Sequence, residues 1–128
     1  MMLKKVHTDN APAAVGPYSQ AMIAGDFMYV SGQLPMDPAA GKIIDGGIED
    51  QTRQSLTNAM SILAEAGVDY KNVVKTTVFL KDMNEFGAMN GVYAEFFTDH
   101  KPARAAVEVA RLPLDVKVEI QMVVYVGK

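Results

Sequence analysis

The sequence predicts an α/β (α+β) fold: a mixed β-sheet with two helices packed on one face. Three observations carry this. Residues 48–66 and 82–97 repeat apolar side chains at helical spacing, whereas the runs 20–30, 73–80, 105–109 and 116–125 are rich in β-branched residues or alternate with a period of two. The two patterns interleave as strand–strand–helix–strand–helix–strand–strand. Right-handed strand–helix–strand crossovers then place both helices on the same side of the sheet.

Along the chain, an extra edge strand is expected near residues 5–7. Gln20 to Ala24 and Phe27 to Val30 are short apolar runs split by Gly25-Asp26, a two-residue loop with glycine first, which is a tight hairpin signal. Residues 35–47 contain Pro35, Pro38, Gly41, Gly46 and Gly47 and read as an irregular excursion. In the first helix, Ile48, Thr52, Leu56, Ala59, Met60 and Leu63 share one side, and Gly67 is placed to cap its end. Val73 to Leu80 reads as a strand. Asp82 opens the second helix, with Glu85 three residues on as in a capping box, and Phe86, Met89, Tyr93 and Phe97 form its apolar side. After Pro102 come the last two strands, the second alternating Val118, Ile120, Met122 and Val124 against Lys117, Glu119 and Gln121.

Two helices cover one face only. The other keeps Phe27, Tyr29, Val123 and Tyr125, so burial of that face against another subunit is expected.

The 128 residues make one domain's worth of chain (1–128), with 49% hydrophobic and 21% charged residues, an ordinary globular balance. A net charge of −3, and no basic run longer than Lys4-Lys5, give no general attraction to nucleic acid or anionic lipid. No apolar stretch reaches the roughly 18 residues of a membrane helix, and none follows the positively charged start as a secretory signal requires. Cysteine is absent. Disulfides, thiol nucleophiles and cysteine metal sites are thereby removed, and a reducing cytoplasm is the expected setting.

Little else in the chain carries recognisable chemistry. His7 and His100 are the only histidines and have no acidic residue at ligand spacing, so they read as solvated side chains, and no metal site is expected. No glycine pattern cradles a nucleotide, and Ser19, Ser31, Ser55 and Ser61 lack a nucleophile-elbow context, so no cofactor is expected. The nine methionines read as core filler.

Four places stand out. Tyr18 follows Gly16-Pro17, a rigid turn that can aim a phenol. Ser31 and Gly32 end a strand, where glycine lets a ligand approach the backbone. Arg104 enters a strand beside small Ala105 and Ala106. Glu119 lies mid-strand among apolar residues, where an unpaired carboxylate is expensive to bury. Structural readings stand beside each of these: Arg104 could pair with Glu119 or Glu108 as a brace, Tyr18 could be a packed aromatic, and Gly32 a plain bulge.

Taken together these segments resemble the RidA/YjgF family, the reactive-intermediate (enamine/imine) deaminases. The likeness lies in Asn10 to Gln20, in Val30-Ser31-Gly32-Gln33-Leu34-Pro35, in Val74 to Met83, in Asn90-Gly91-Val92-Tyr93, and above all in Pro102 to Pro113 followed by Val118-Glu119-Ile120. The resemblance implies a chorismate-mutase-like fold and a homotrimer with sites between subunits. It implies hydrolysis of 2-aminoacrylate- and 2-aminocrotonate-type enamines, and their 2-imino acid tautomers, to 2-oxo acids and ammonia. Carried over by motif, Arg104 binds the substrate carboxylate and Glu119 handles water and protons. Tyr18, Ser31, Gly32, Asn90 and Ala106 line the pocket, partly through backbone groups. Two departures stand out: some members have cysteine where Ala106 stands, and the link from Phe97 to Pro102 is short. The alternative function is a ligand-sensing or regulatory trimer with the same pocket and little turnover. Nucleic-acid binding or RNA cleavage is disfavoured by charge and motif.

Overall fold

The computed structural model describes residues 3–127. Strands β1 (Leu3–Val6), β2 (Ala21–Ala24) and β3 (Phe27–Gln33) are followed by a small hairpin of β4 (Met36–Asp37) and β5 (Lys42–Ile43). Helix α1 (Ile48–Glu65), β6 (Val73–Leu80), α2 (Phe86–Phe96), β7 (Ala103–Glu108) and β8 (Val118–Tyr125) complete the chain. The main sheet has the order β1-β2-β3-β8-β6-β7, with β6 and β7 parallel and the other neighbours antiparallel. The expected interleaving of strands and helices is therefore observed, including the edge strand at the start.

Local chemistry accounts for most boundaries. Gly25 has φ 63°, whereas Asp26 is not among the residues of positive φ, the pattern of a type II′ hairpin turn between β2 and β3. Gly67 (φ 78°) ends α1 in a Schellman arrangement: its N–H bonds to the Ala64 carbonyl, and that of Val68 to the Leu63 carbonyl. The second helix starts differently from expectation. Asp82 accepts from the Asn84 N–H and caps a single 3-10 turn, Met83–Glu85, before α2 begins at Phe86. Glu85 does not close a capping box; its carboxylate faces Lys117 Nζ at 3.6 Å, a partner that only tertiary packing supplies. The excursion at 35–47 also contains order that its glycines and prolines hid, the β4–β5 hairpin.

The alternation along β3 and β8 sorts the two faces. Met28, Val30, Val118, Ile120, Met122 and Val124 point toward the helices and are buried with Leu56, Ile62, Leu63 and Met89. On the opposite face Phe27, Tyr29, Val107 and Tyr125 are exposed, Tyr29 by 52%, so this apolar surface is uncovered in the single chain. Among the described residues no helix is long and apolar enough to cross a membrane.

Candidate functional site

Two clusters of polar groups occupy opposite faces of the sheet. The first is built on a β-bulge. Between Val30, paired with Met122, and Gln33, paired with Ile120, β3 runs three residues against two on β8. Val30 and Gln33 are both buried toward the helices, so Ser31 and Gly32 share the step across the open face. Glu119, paired with Phe79, lies on that face between the inward-pointing Val118 and Ile120.

Its side chain lies directly over Gly32: a Cβ there would fall 2.7 Å from Glu119 Cδ and 3.0 Å from Cγ. Gly32 is therefore more than a plain bulge; its missing side chain is the space that Glu119 occupies. The Glu119 carboxylate has no hydrogen-bond partner among the described residues, and burial pushes its pKa upward from the ordinary carboxylate range.

The segment before β2 stands beside this bulge. The buried Gln20 side chain accepts from the Thr8 N–H and donates to the carbonyls of Thr8 and Pro12, which fixes residues 8–12. Ser31 Oγ donates to the Ser19 carbonyl at 2.6 Å. Tyr18 is exposed, and its phenol oxygen accepts from the Val15 N–H at 3.4 Å, which leaves its own O–H available. Tyr18 and Ser31 line one cavity of about 510 Å³, and Tyr18 and Gly32 line another of about 570 Å³. Tyr18, Ser31, Gly32 and Glu119 are thus brought into one neighbourhood.

The second cluster lies at the free edge of the sheet, on the helix side. Arg104 pairs with Thr76, whose buried hydroxyl meets the Tyr93 hydroxyl at 2.8 Å. Parity along β6 puts Thr76 and Phe79 on opposite faces, and hence Arg104 and Glu119 as well. Arg104 Nη1 donates to Asn90 Oδ1 at 2.6 Å, and the guanidinium carbon stands 4.7 Å from the centre of the Tyr93 ring and 5.3 Å from that of Phe86.

Neither carboxylate considered as a brace pairs with Arg104: Glu119 is across the sheet, and Glu108 accepts from the Met83 N–H instead. Among the described residues Arg104 makes no ion pair, so most of its five N–H donors remain available. They open on a cavity of about 390 Å³ lined also by Lys101 and Pro102 from the short link after α2. Ala106, two residues on and half-buried on the same side of β7, pairs with Val78.

Tyr93 and Phe86 are the site residues that sequence reasoning assigned to the core alone. Their spacing with Asn90 on one helix (86, 90, 93) is the signal available for grouping them. Burial raises the Tyr93 pKa, partly offset by the Thr76 bond and the Arg104 charge. The histidines lie elsewhere. His7 is exposed against Asp9, and His100 is half-buried with Nε2 on the Val73 carbonyl, so only the first is a solvated side chain.

The arrangement offers a cation for a carboxylate and, separately, an unpaired carboxyl group of raised pKa suited to proton transfer.

Comparison with known proteins shows which family the chain resembles. The sequence profile described as Endoribonuclease L-PSP matches residues 8–126. A RutC family protein of Pyrococcus horikoshii is 54% identical over 124 residues, covering 97% of this chain and 98% of that protein. A 2-iminobutanoate/2-iminopropanoate deaminase of Capra hircus is 49% identical over 122 residues, covering 95% and 89%. The crystal structure of E. coli TdcF with bound serine superposes with a TM-score of 0.91 at 42% identity, covering 95% of this chain and 98% of that one. On sequence and fold alike, the chain belongs to the endoribonuclease L-PSP family, which is the YjgF/RidA family.

Proposed function

We propose that the protein is an enamine/imine deaminase, a hydrolase of C–N bonds that converts 2-aminoacrylate- and 2-aminocrotonate-type enamines, through their 2-imino acid tautomers, to 2-oxo acids and ammonia. The observation that carries the reading is the division of labour between the two faces. Arg104 is held between Tyr93, Phe86 and Asn90 with donors to spare, and Glu119 sits without a partner among the described residues on the Ser31–Gly32 bulge. Relatives of 47–49% identity named as 2-iminobutanoate/2-iminopropanoate deaminases support it. So does a relative whose crystal structure holds serine, an amino acid with the same carboxylate.

Arg104 and Glu119 cannot meet within one chain, and an apolar sheet face is uncovered. Both features favour an oligomer in which the free β7 edge of one subunit faces the bulge of the next, so that each site is shared; that it is a homotrimer is what the likeness to the family implies. In that site Arg104 takes the substrate carboxylate, a contact worth roughly 1.5–3 kcal/mol net. Tyr18, Ser31, Gly32, Asn90 and Ala106 enclose the rest.

Glu119 in its acid form protonates the enamine carbon and yields the iminium, the protonated form of the imine, leaving Glu119 as carboxylate. As carboxylate it then accepts a proton from the water that attacks the imine carbon. Collapse of the resulting carbinolamine expels ammonia and leaves the 2-oxo acid, with no change of oxidation state across imine plus water. Orientation and a proton relay are all the reaction asks. We place this work in the cytoplasm, as removal of damaging intermediates.

The test is hydrolysis of imines made in situ by an amino-acid oxidase, followed for wild type and Arg104→Lys. Lysine keeps the charge but loses the planar fork. Fast turnover by wild type and a severe loss in the variant are expected. Ligand binding without turnover would instead establish the sensing alternative.

A further inference from the structure

We infer that the groove leading away from Gly32 receives the substrate's side chain, and that Leu114 and Val15 give the site a preference for large apolar 2-imino acids. The inference rests on the deaminase reading and names the substrate class within it.

Its starting point is a residue the fold does not explain. Leu114 is 69% exposed and has φ 56°, a left-handed conformation where glycine or asparagine is the ordinary choice. The turn that carries it is firmly held. Leu112 and Val116 are buried on either side, Asp115 pairs with Lys81 at 3.1 Å, and the Asp115 and Val116 N–H groups bond back to Leu112 and Pro113. A rigid turn thus presents an apolar side chain to solvent at a strained position, the kind of feature that points to function. Val15, 80% exposed, has no packing role in the core.

Both residues line the same groove of about 570 Å³, together with Tyr18, Leu34, Met36 and Pro113. Its walls are preformed. The buried Asn58 side chain donates to the carbonyls of Leu34 and Met36, and Gln20 holds the carbonyl of Pro12. Gly32 lines the groove and is also the residue over which Glu119 lies. A substrate whose reacting carbon stands at Glu119 therefore has this groove beside it for its side chain. A methyl group leaves most of that space empty; a branched four-carbon chain makes contact with its walls.

Each fully buried methylene is worth about a fourfold factor in binding. The imine derived from leucine has three more carbons than that from alanine, and the groove is open on one side. We therefore expect kcat/KM to favour the leucine-derived imine by about tenfold or more.

The experiment measures that ratio in wild type, Leu114→Gly and Val15→Ser, with oligomer mass recorded for each. Glycine suits the positive φ, so Leu114→Gly removes the side chain without straining the turn. The expected result is a ratio lowered about threefold to tenfold in Leu114→Gly, and lowered in Val15→Ser, with the mass unchanged. A wild type that turns over imines without regard to side chain overturns the groove assignment and leaves the deaminase reading intact. Ratios equal to wild type in both variants do the same. Dissociation of Leu114→Gly overturns it in favour of a subunit contact at this turn, and absence of turnover with every imine overturns the underlying reading.

Discussion

Alanine at position 32 puts a methyl group where the Glu119 side chain lies. Its Cβ would stand 2.7 Å from Glu119 Cδ and 3.0 Å from Cγ, against an ordinary carbon–carbon contact of about 3.5 Å. The backbone at Gly32 is pinned by the flanking pairs Val30–Met122 and Gln33–Ile120, so the carboxylate is the part that retreats, by about 1 Å. A displacement of that size from productive geometry costs on the order of 10²-fold in rate. Glu119→Gln keeps the shape and removes the titrating group, also at about 10²-fold in kcat.

If Gly32 acts through Glu119, the two losses are not independent. The double variant should be impaired about 10²-fold and not about 10⁴-fold. Steady-state hydrolysis of an in situ imine by the four proteins measures the cycle, with circular dichroism and oligomer mass confirming that each is folded. Full additivity, or a Gly32→Ala protein within about threefold of wild type, would refute the reasoning that the bulge exists to place this carboxylate.

Other outcomes follow from the same geometry. The homotrimer should run at about 42 kDa, three times 13.9 kDa, and a stable monomer at micromolar concentration by light scattering contradicts it. Tyr93→Phe keeps the ring under Arg104 but leaves the buried Thr76 hydroxyl unpaired. A stability loss of about 1–3 kcal/mol is expected by denaturant titration, with KM little changed; a large rise in KM with no stability loss contradicts it. The raised pKa of Glu119 means that its deprotonation opposes folding. Stability is fully present below the ordinary carboxylate range and declines as the pH rises through the raised value. Glu119→Gln should flatten that part of the profile and be no less stable than wild type at neutral pH. An identical slope in both proteins, from melts across pH, counts against the shift.

What the sequence reveals of this fold is what neighbouring residues decide. The Gly25-Asp26 turn, the glycine cap at position 67 and the two-residue alternation of β8 each depend on a few adjacent side chains, and each is found in the structure. Glu85 misleads because its competitor, Lys117, is remote in sequence. Arg104 and Glu119 attract notice as charged residues in apolar surroundings, but only the register of β6 with its two neighbours shows that they face opposite ways. The same holds for Gly32, whose meaning depends on β3 meeting β8 with one extra residue, and for Phe86 and Tyr93, whose role under Arg104 appears only when α2 packs beside β7. Leu114 gives no hint of its left-handed backbone, since neither it nor Asp115 is glycine.

In the proposed site Arg104 anchors the substrate carboxylate. Thermal melts of wild type and Arg104→Ala, each with and without 2-oxobutyrate, address it without depending on turnover. A ligand at 100 times its Kd stabilises the folded state by about 2.7 kcal/mol, enough for a measurable rise in Tm. Wild type should show that rise and Arg104→Ala should not. Because Arg104 is exposed and braces no carboxylate, the two proteins should melt at similar temperatures without ligand. Equal ligand-induced shifts in both proteins would mean that the carboxylate is held elsewhere.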